Sequence, residues 1–119
     1  MRSVYHTAVL LSVILNRSEL SRARVSGKTI KLLAVRQNLR SAFVVQLTAT
    51  LAEFGWILFE LPGGGFGAVQ AQAIEAAKTV TAKRLLNDDE RRALKHGNFD
   101  WTEFEREARP QQEDTPDDE

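Results

Sequence analysis

Eight Lys or Arg side chains fall in the first forty residues, at Arg2, Arg17, Arg22, Arg24, Lys28, Lys31, Arg36 and Arg40, against the single acid Glu19, a local balance of +7. Cations at this density do one kind of chemistry unaided: they concentrate a polyanion near the surface and neutralise its charge. Residues 85–119 carry the opposite endowment, five cations against twelve acids and a balance of −7, so the formal net charge of zero conceals a gradient along the chain. Such segregation speaks to partners rather than fold. The amino-terminal third suits a polyanion, and the acidic carboxyl-terminal segment suits a basic protein partner.

Other chemistries lack their residues. There is no cysteine, which excludes disulfides, thiol nucleophiles and cysteine-ligated zinc. His6 and His96 have no partner at ligand spacing. His96, near a predicted helix end, is better placed as a cation at the negative end of the helix dipole. Pro62–Gly67 is glycine-rich, but no Gly-Lys-Ser/Thr follows and no strand-to-helix switch is centred on it, so it reads as a turn rather than a phosphate loop. The acids at Asp88-Asp89-Glu90 and Glu103-Glu105-Glu107 fall in first turns or on a short polar helix, where capping accounts for them. With no supported Ser, His and Asp arrangement either, the expectation is a non-enzyme without metal or cofactor.

The cations need elements to hold them. At 119 residues and 43% hydrophobic content the chain supports one core. Val4, Ala8, Leu11 and Leu15 recur at helical spacing, and Val9, Leu10, Val13 and Ile14 fill the rest of the circumference, predicting an almost wholly buried first helix. The run Thr7–Leu15 after Arg2 has the look of a secretory signal core, yet polar Asn16-Arg17-Ser18-Glu19 follows instead of a cleavage site, and the run is short of the about 20 residues that span a bilayer. No membrane partner is expected, and a chain without cysteine fits the cytoplasm. Val25 is a candidate one-residue strand, and Ser26 is placed to cap a second helix over Gly27–Arg36, with Ile30, Leu33 and Ala34 inward and Lys28, Lys31 and Arg36 outward. A third helix runs from a Ser41 cap to Phe54, with Phe43 or Val44, Leu47, Leu51 and Phe54 as its inner stripe.

The texture then changes. Trp56-Ile57-Leu58-Phe59 and Phe66-Gly67-Ala68-Val69 flank the turn cluster Pro62–Gly65 and predict a β-hairpin, with Trp56 in the core. Ala71–Leu86 is helix-prone with an interruption at Thr79-Val80-Thr81, Asn87 with Glu90 forms a capping box for a helix ending at Gly97, and Asp100 with Glu103 repeats that signature. Phe99, Trp101 and Phe104 are expected to dock the last helix. The chain therefore divides into residues 1–70, a helical extension over 71–108, and an acidic tail over 109–119 with nothing apolar to bury, expected to be disordered. The fold class is mainly α with a small β-hairpin.

Over residues 29–69 the agreement with a known pattern is residue by residue. Leu33-Ala34 matches a Leu-Ala pair of a second helix, Leu39 a buried aliphatic turn residue, and Val44 its counterpart on the third helix. Leu51, Gly55, Trp56 and Ile57 match the closing order of Leu, three residues, Gly and two apolar residues, while Gly63–Phe66 matches a wing to which Pro62 is an addition. The segment resembles bacterial winged helix-turn-helix repressors, those of the gluconate-repressor type in particular. The resemblance implies a third helix in the major groove of duplex DNA and a wing against the adjacent backbone or minor groove. It puts Arg40 and Ser41 where family members place phosphate- and base-contacting side chains, and it lines the outer face of the third helix with Val45, Gln46, Ala49 and Thr50. Gln46 is the residue there able to read a base edge. Glu53 opposes phosphate, and Leu58-Phe59-Glu60-Leu61 lacks the cations that many wings of the family carry.

Two functions follow as expectations. The first is a DNA-binding transcriptional regulator, a possible homodimer, that contacts duplex DNA through Arg22, Arg24, Lys28, Lys31, Arg36, Arg40, Ser41 and Gln46. The second is a winged-helix protein–protein interaction module, an assembly or inhibitory factor whose acidic tail meets a basic partner, favoured by Glu53 and the uncharged wing.

Overall fold

The structure, a computed structural model, describes residues 1–97 and 100–110. Met1–Ala77 form one compact unit and the residues from Lys78 onward a second. In the first unit, α1 (Val4–Ser18) opens on Ser3, whose hydroxyl accepts from the His6 amide, and packs against α2 (Gly27–Ala34) and α3 (Ser41–Ala52). Ala8, Leu11 and Leu15 are buried at helical spacing together with Thr7, whose Oγ1 donates to the Ser3 carbonyl at 2.8 Å, so its burial orphans no polar atom. The expectation of an almost wholly buried helix is corrected: Tyr5 and Ile14 are exposed and Val9, Leu10 and Val13 half-buried, because α2 and α3 pack against one side.

The strand content exceeds the predicted hairpin. β2 (Trp56–Glu60) and β3 (Phe66–Gln70) form that hairpin, and its turn uses Gly64 and Gly65 at φ +103° and +78°, angles that side-chain-bearing residues avoid. The single strand residue expected at Val25 is instead β1 (Arg22–Val25), which occupies the free edge of β3 and gives the antiparallel order β1-β3-β2. Edge pairing satisfies backbone groups that a bare hairpin leaves open, and alternation turns Ala23 and Val25 toward the core. The core joins these strands to the three helices: Ala8, Leu11, Leu15, Ile30, Ala34, Phe43, Leu47, Leu51, Leu58 and Ala68 close around Trp56, which is 1% exposed. The Trp56 Nε1–H donates to Asn16 Oδ1 at 3.1 Å, tying β2 to the end of α1.

Helix α2 stops two residues before its predicted end. Val35 takes φ +53°, its amide donates to the Leu32 carbonyl, and the Arg36 amide donates to the Lys31 carbonyl, a Schellman arrangement without the usual glycine. The remaining two end carbonyls are met by Arg2, whose amide donates to Ala34 and whose guanidinium donates to Leu33, so all four groups that a helix end leaves open are satisfied. A β-branched residue in the left-handed region is strained. Val35→Gly is therefore expected to stabilise the protein by about 1 kcal/mol, the relief of strain exceeding the entropy cost of glycine, and to raise the melting temperature by about 4–8 °C. A melting temperature unchanged or lowered in differential scanning calorimetry contradicts the strain.

Helix α3 begins one residue after its N-cap, Arg40, which makes no side-chain capping bond; Ser41 is the first helical residue and not the predicted cap. The helix ends at Ala52 rather than Phe54. Phe43, Leu47 and Leu51 are its buried stripe, while Phe54 is exposed with its ring 5.9 Å from Tyr5. After β3, α4 (Ala71–Glu75) packs on that strand.

The second unit holds α5 (Ala82–Leu85), α6 (Asp88–His96) and α7 (Trp101–Ala108), and none of its described residues is buried. Its helices are defined by local bonds. Thr81 caps α5, Asn87 and Glu90 make the predicted reciprocal capping box, Gly97 closes α6 at φ +73°, and Asp100 caps α7. Arg91–Asp88, Arg92–Asp89 and Arg106–Glu103 pair one turn apart. Trp101 is exposed, with its ring centroid 6.4 Å from that of Phe104. Phe99 and the tail positions 111–119 lie outside the described residues.

Candidate nucleic-acid interface

The cations of the amino-terminal third are sorted by the elements that carry them. Ser26 caps α2 by accepting from the Thr29 amide at 3.1 Å, and with Ile30 and Ala34 committed to the core, Lys28 and Lys31 are turned outward one helical turn apart. They border a shallow cleft with Leu32, Val35 and Arg36. A neighbouring cleft shares Val35 and Arg36 and reaches Arg40 at the start of α3. Lys28, Lys31 and Arg40 thus follow one another along α2 and across the turn, and no Asp or Glu lines either cleft. The ion pairs among the described residues lie on α6 and α7 and involve none of these cations.

Arg36 departs from its expected role. Its guanidinium carbon stands 3.9 Å from the Phe43 ring centroid and its Nη2 donates to the Arg2 carbonyl at 3.3 Å, leaving the residue half-buried. The early end of α2 is the cause, since the left-handed Val35 redirects the chain and swings Arg36 over α3 instead of leaving it on the outer face of the helix. A guanidinium held on an aromatic face contributes stability by cation–π attraction and stem burial, and it is a poorer phosphate ligand than an extended one.

Arg22 and Arg24 separate from the α2 group as well. On β1 they alternate with Ala23 and Val25, which face the core, so both arginines belong to the outer surface of the sheet. Arg24 also lines a cleft with Ser26, Gly27 and the turn residues Gly64 and Gly65, where the β2–β3 turn approaches the start of α2. That turn carries Pro62 and no cation.

The outer side of α3 is open. Ser41, Ala42, Val45, Gln46 and Ala49 are exposed, with Val45 at 67%, whereas Thr50, expected on that face, is half-buried. The face is small and uncharged apart from Glu53 at its end, and Gln46 is its one long hydrogen-bonding side chain. Charge therefore stands beside this helix, on α2 and at Arg40, and not on it. The periodicity of α2 left one feature unread: Leu32 is 75% exposed next to Lys28 and Lys31. Its signal was available, because a helix of eight residues cannot turn Ile30, Leu32, Leu33 and Ala34 to one side.

Among the described residues no helix is long and apolar enough to cross a membrane. Compared with family models, with curated proteins and with solved structures, the chain matches none.

Proposed function

We propose that this chain is a winged helix-turn-helix protein that binds duplex DNA and acts as a transcriptional regulator, with α3 against the major groove and Lys28, Lys31 and Arg40 on the flanking phosphates. The order α1-β1-α2-α3-β2-β3, with the strands arranged β1-β3-β2, supports the winged-helix assignment. The observation that carries DNA binding is the uncovered outer side of α3, bearing Ser41 and Gln46, beside cations that border carboxylate-free clefts. An α-helix fits the major groove, Gln reads adenine through two hydrogen bonds, and Lys and Arg supply affinity through counterion release. With Gln46 as the one long reader, recognition rests more on phosphates than on base edges, and modest sequence specificity is the consequence.

Fluorescence anisotropy of the intact chain with a random-sequence duplex tests the proposal. Binding is expected at low salt, with affinity falling steeply between about 50 and 200 mM salt. No binding at the lower salt overturns it.

A second function has its own support. Leu32 and Val45 are exposed apolar side chains on the surfaces that would meet DNA, and neither α3 nor the β2–β3 turn carries a cation. Both features suit a protein partner, contacted also through the acidic carboxyl-terminal segment. A chain of this kind shows no duplex affinity even at low salt, and loses its partner when residues 109–119 are removed.

A further inference from the structure

The outer surface of the sheet carries an arrangement that duplex binding by α3 does not use. Register sets Arg22 opposite Val69 and Val69 opposite Ile57; one step along, Arg24 stands opposite Gly67 and Gly67 opposite Phe59. Directly paired residues share a face, and the intervening row of Ala23, Ala68 and Leu58 faces the core, so these two rows form the outer face. Phe59 lies over Gly67: a Cβ on that glycine would stand 2.5 Å from the ring atoms Cε2 and Cζ, so only glycine lets the ring settle on the strand. Phe59 remains 43% exposed and Ile57 41% exposed. Neither row contains a carboxylate, and no described acid pairs with Arg22 or Arg24.

We propose that this face is a platform for single-stranded DNA, on which a base stacks against Phe59, a neighbouring base or sugar rests on Ile57 and Val69, and Arg22 and Arg24 hold the phosphates. An aromatic ring supported from below and open above is what base stacking requires, and cations along its flank supply the backbone term. Charge decides against a second copy of the chain, because two-fold pairing of the face would bring four guanidinium groups together with no carboxylate between them. DNA is favoured over RNA because the two rows hold no side-chain acceptor for the proton of a 2′-OH. The platform is separate from the surface proposed for duplex DNA, does not depend on it and shares none of Lys28, Lys31 and Arg40; Arg22 and Arg24, expected from the sequence among the duplex contacts, belong to the sheet.

The test uses the full chain and a fluorescein-labelled oligothymidylate, followed by anisotropy at low salt. Binding is expected, and Phe59→Ala is expected to weaken it on the order of ten-fold. Phe59→Leu, which still covers Gly67, is expected to lose as much, and Phe59→Trp to retain affinity with its indole emission quenched on binding. Alanine at Lys28, Lys31 and Arg40 together leaves oligothymidylate binding within about two-fold while lowering duplex binding, which separates failure of one surface from failure of the other. The platform is overturned if oligothymidylate does not bind, if folded Phe59→Leu binds it like the parent, or if polyglutamate competes as well as the oligonucleotide. A concentration-dependent dimer abolished by Phe59→Leu assigns the face to self-association and overturns it too.

Discussion

Replacing Lys28, Lys31 and Arg40 together by alanine is expected to weaken duplex DNA binding on the order of 10²- to 10³-fold at about 0.1 M salt, because each lost phosphate contact removes roughly one power of the salt concentration from the binding constant. The slope of log K against log salt should fall in magnitude by about 2.7. The three side chains are exposed and take part in none of the ion pairs among the described residues, so their removal leaves the core intact and the melting temperature close to the parent's. Arg36→Ala is the internal control. It forfeits the contact with Phe43 and the bond to the Arg2 carbonyl, lowering stability by about 1–2 kcal/mol while leaving the salt slope unchanged. A triple variant with the parent's slope, or an Arg36 variant whose slope drops by one, would require a different set of phosphate ligands.

Trp56→Ala is expected to cost about 3–5 kcal/mol, the range for deleting a fully buried aromatic side chain. Trp56 is among the largest fully buried side chains and belongs to the cluster that joins α1, α3 and the sheet, so the cavity opens where all three meet. A folded unit of this size has a stability of only about 4–12 kcal/mol, so a large fraction is lost and the melting temperature should fall by roughly 15–30 °C. Trp56→Phe keeps most of the volume and gives up the bond to Asn16 Oδ1, at a cost of about 1–2 kcal/mol. Calorimetry checks the order alanine, phenylalanine, parent. An alanine variant melting within a few degrees of the parent would show that the core closes without the indole.

Local patterns made α1, α2 and α3, the hairpin and several caps legible, although Ser41 proved to be the first residue of α3 and not its cap. Ala8, Leu11 and Leu15 mark α1, Ser26 and Asn87 announce helix starts, and the glycines at 64 and 65 mark the β2–β3 turn. Each of these signals acts over three or four residues, within reach of a side chain on its own backbone. The errors arise where distant residues decide. Strand β1 exists because β3 has an open edge more than forty positions away, which no property of Arg22–Val25 reveals. Arg36 leaves the cationic face because Val35 ends α2 early and Phe43 offers its ring.

The amino-acid sequence by itself determined the charge gradient, the absence of cysteine chemistry and the approximate places of α1, α2, α3 and the hairpin, since composition and short-range periodicity are properties of the chain alone. Tertiary structure decided which cations share a surface. It divided one run of basic residues into an α2 group that reaches Arg40, a sheet pair at Arg22 and Arg24, and a structural Arg36, and it laid Phe59 over Gly67. The physical reason is that strand register and helix ends set the directions of side chains, and both are fixed by contacts between residues far apart in the chain.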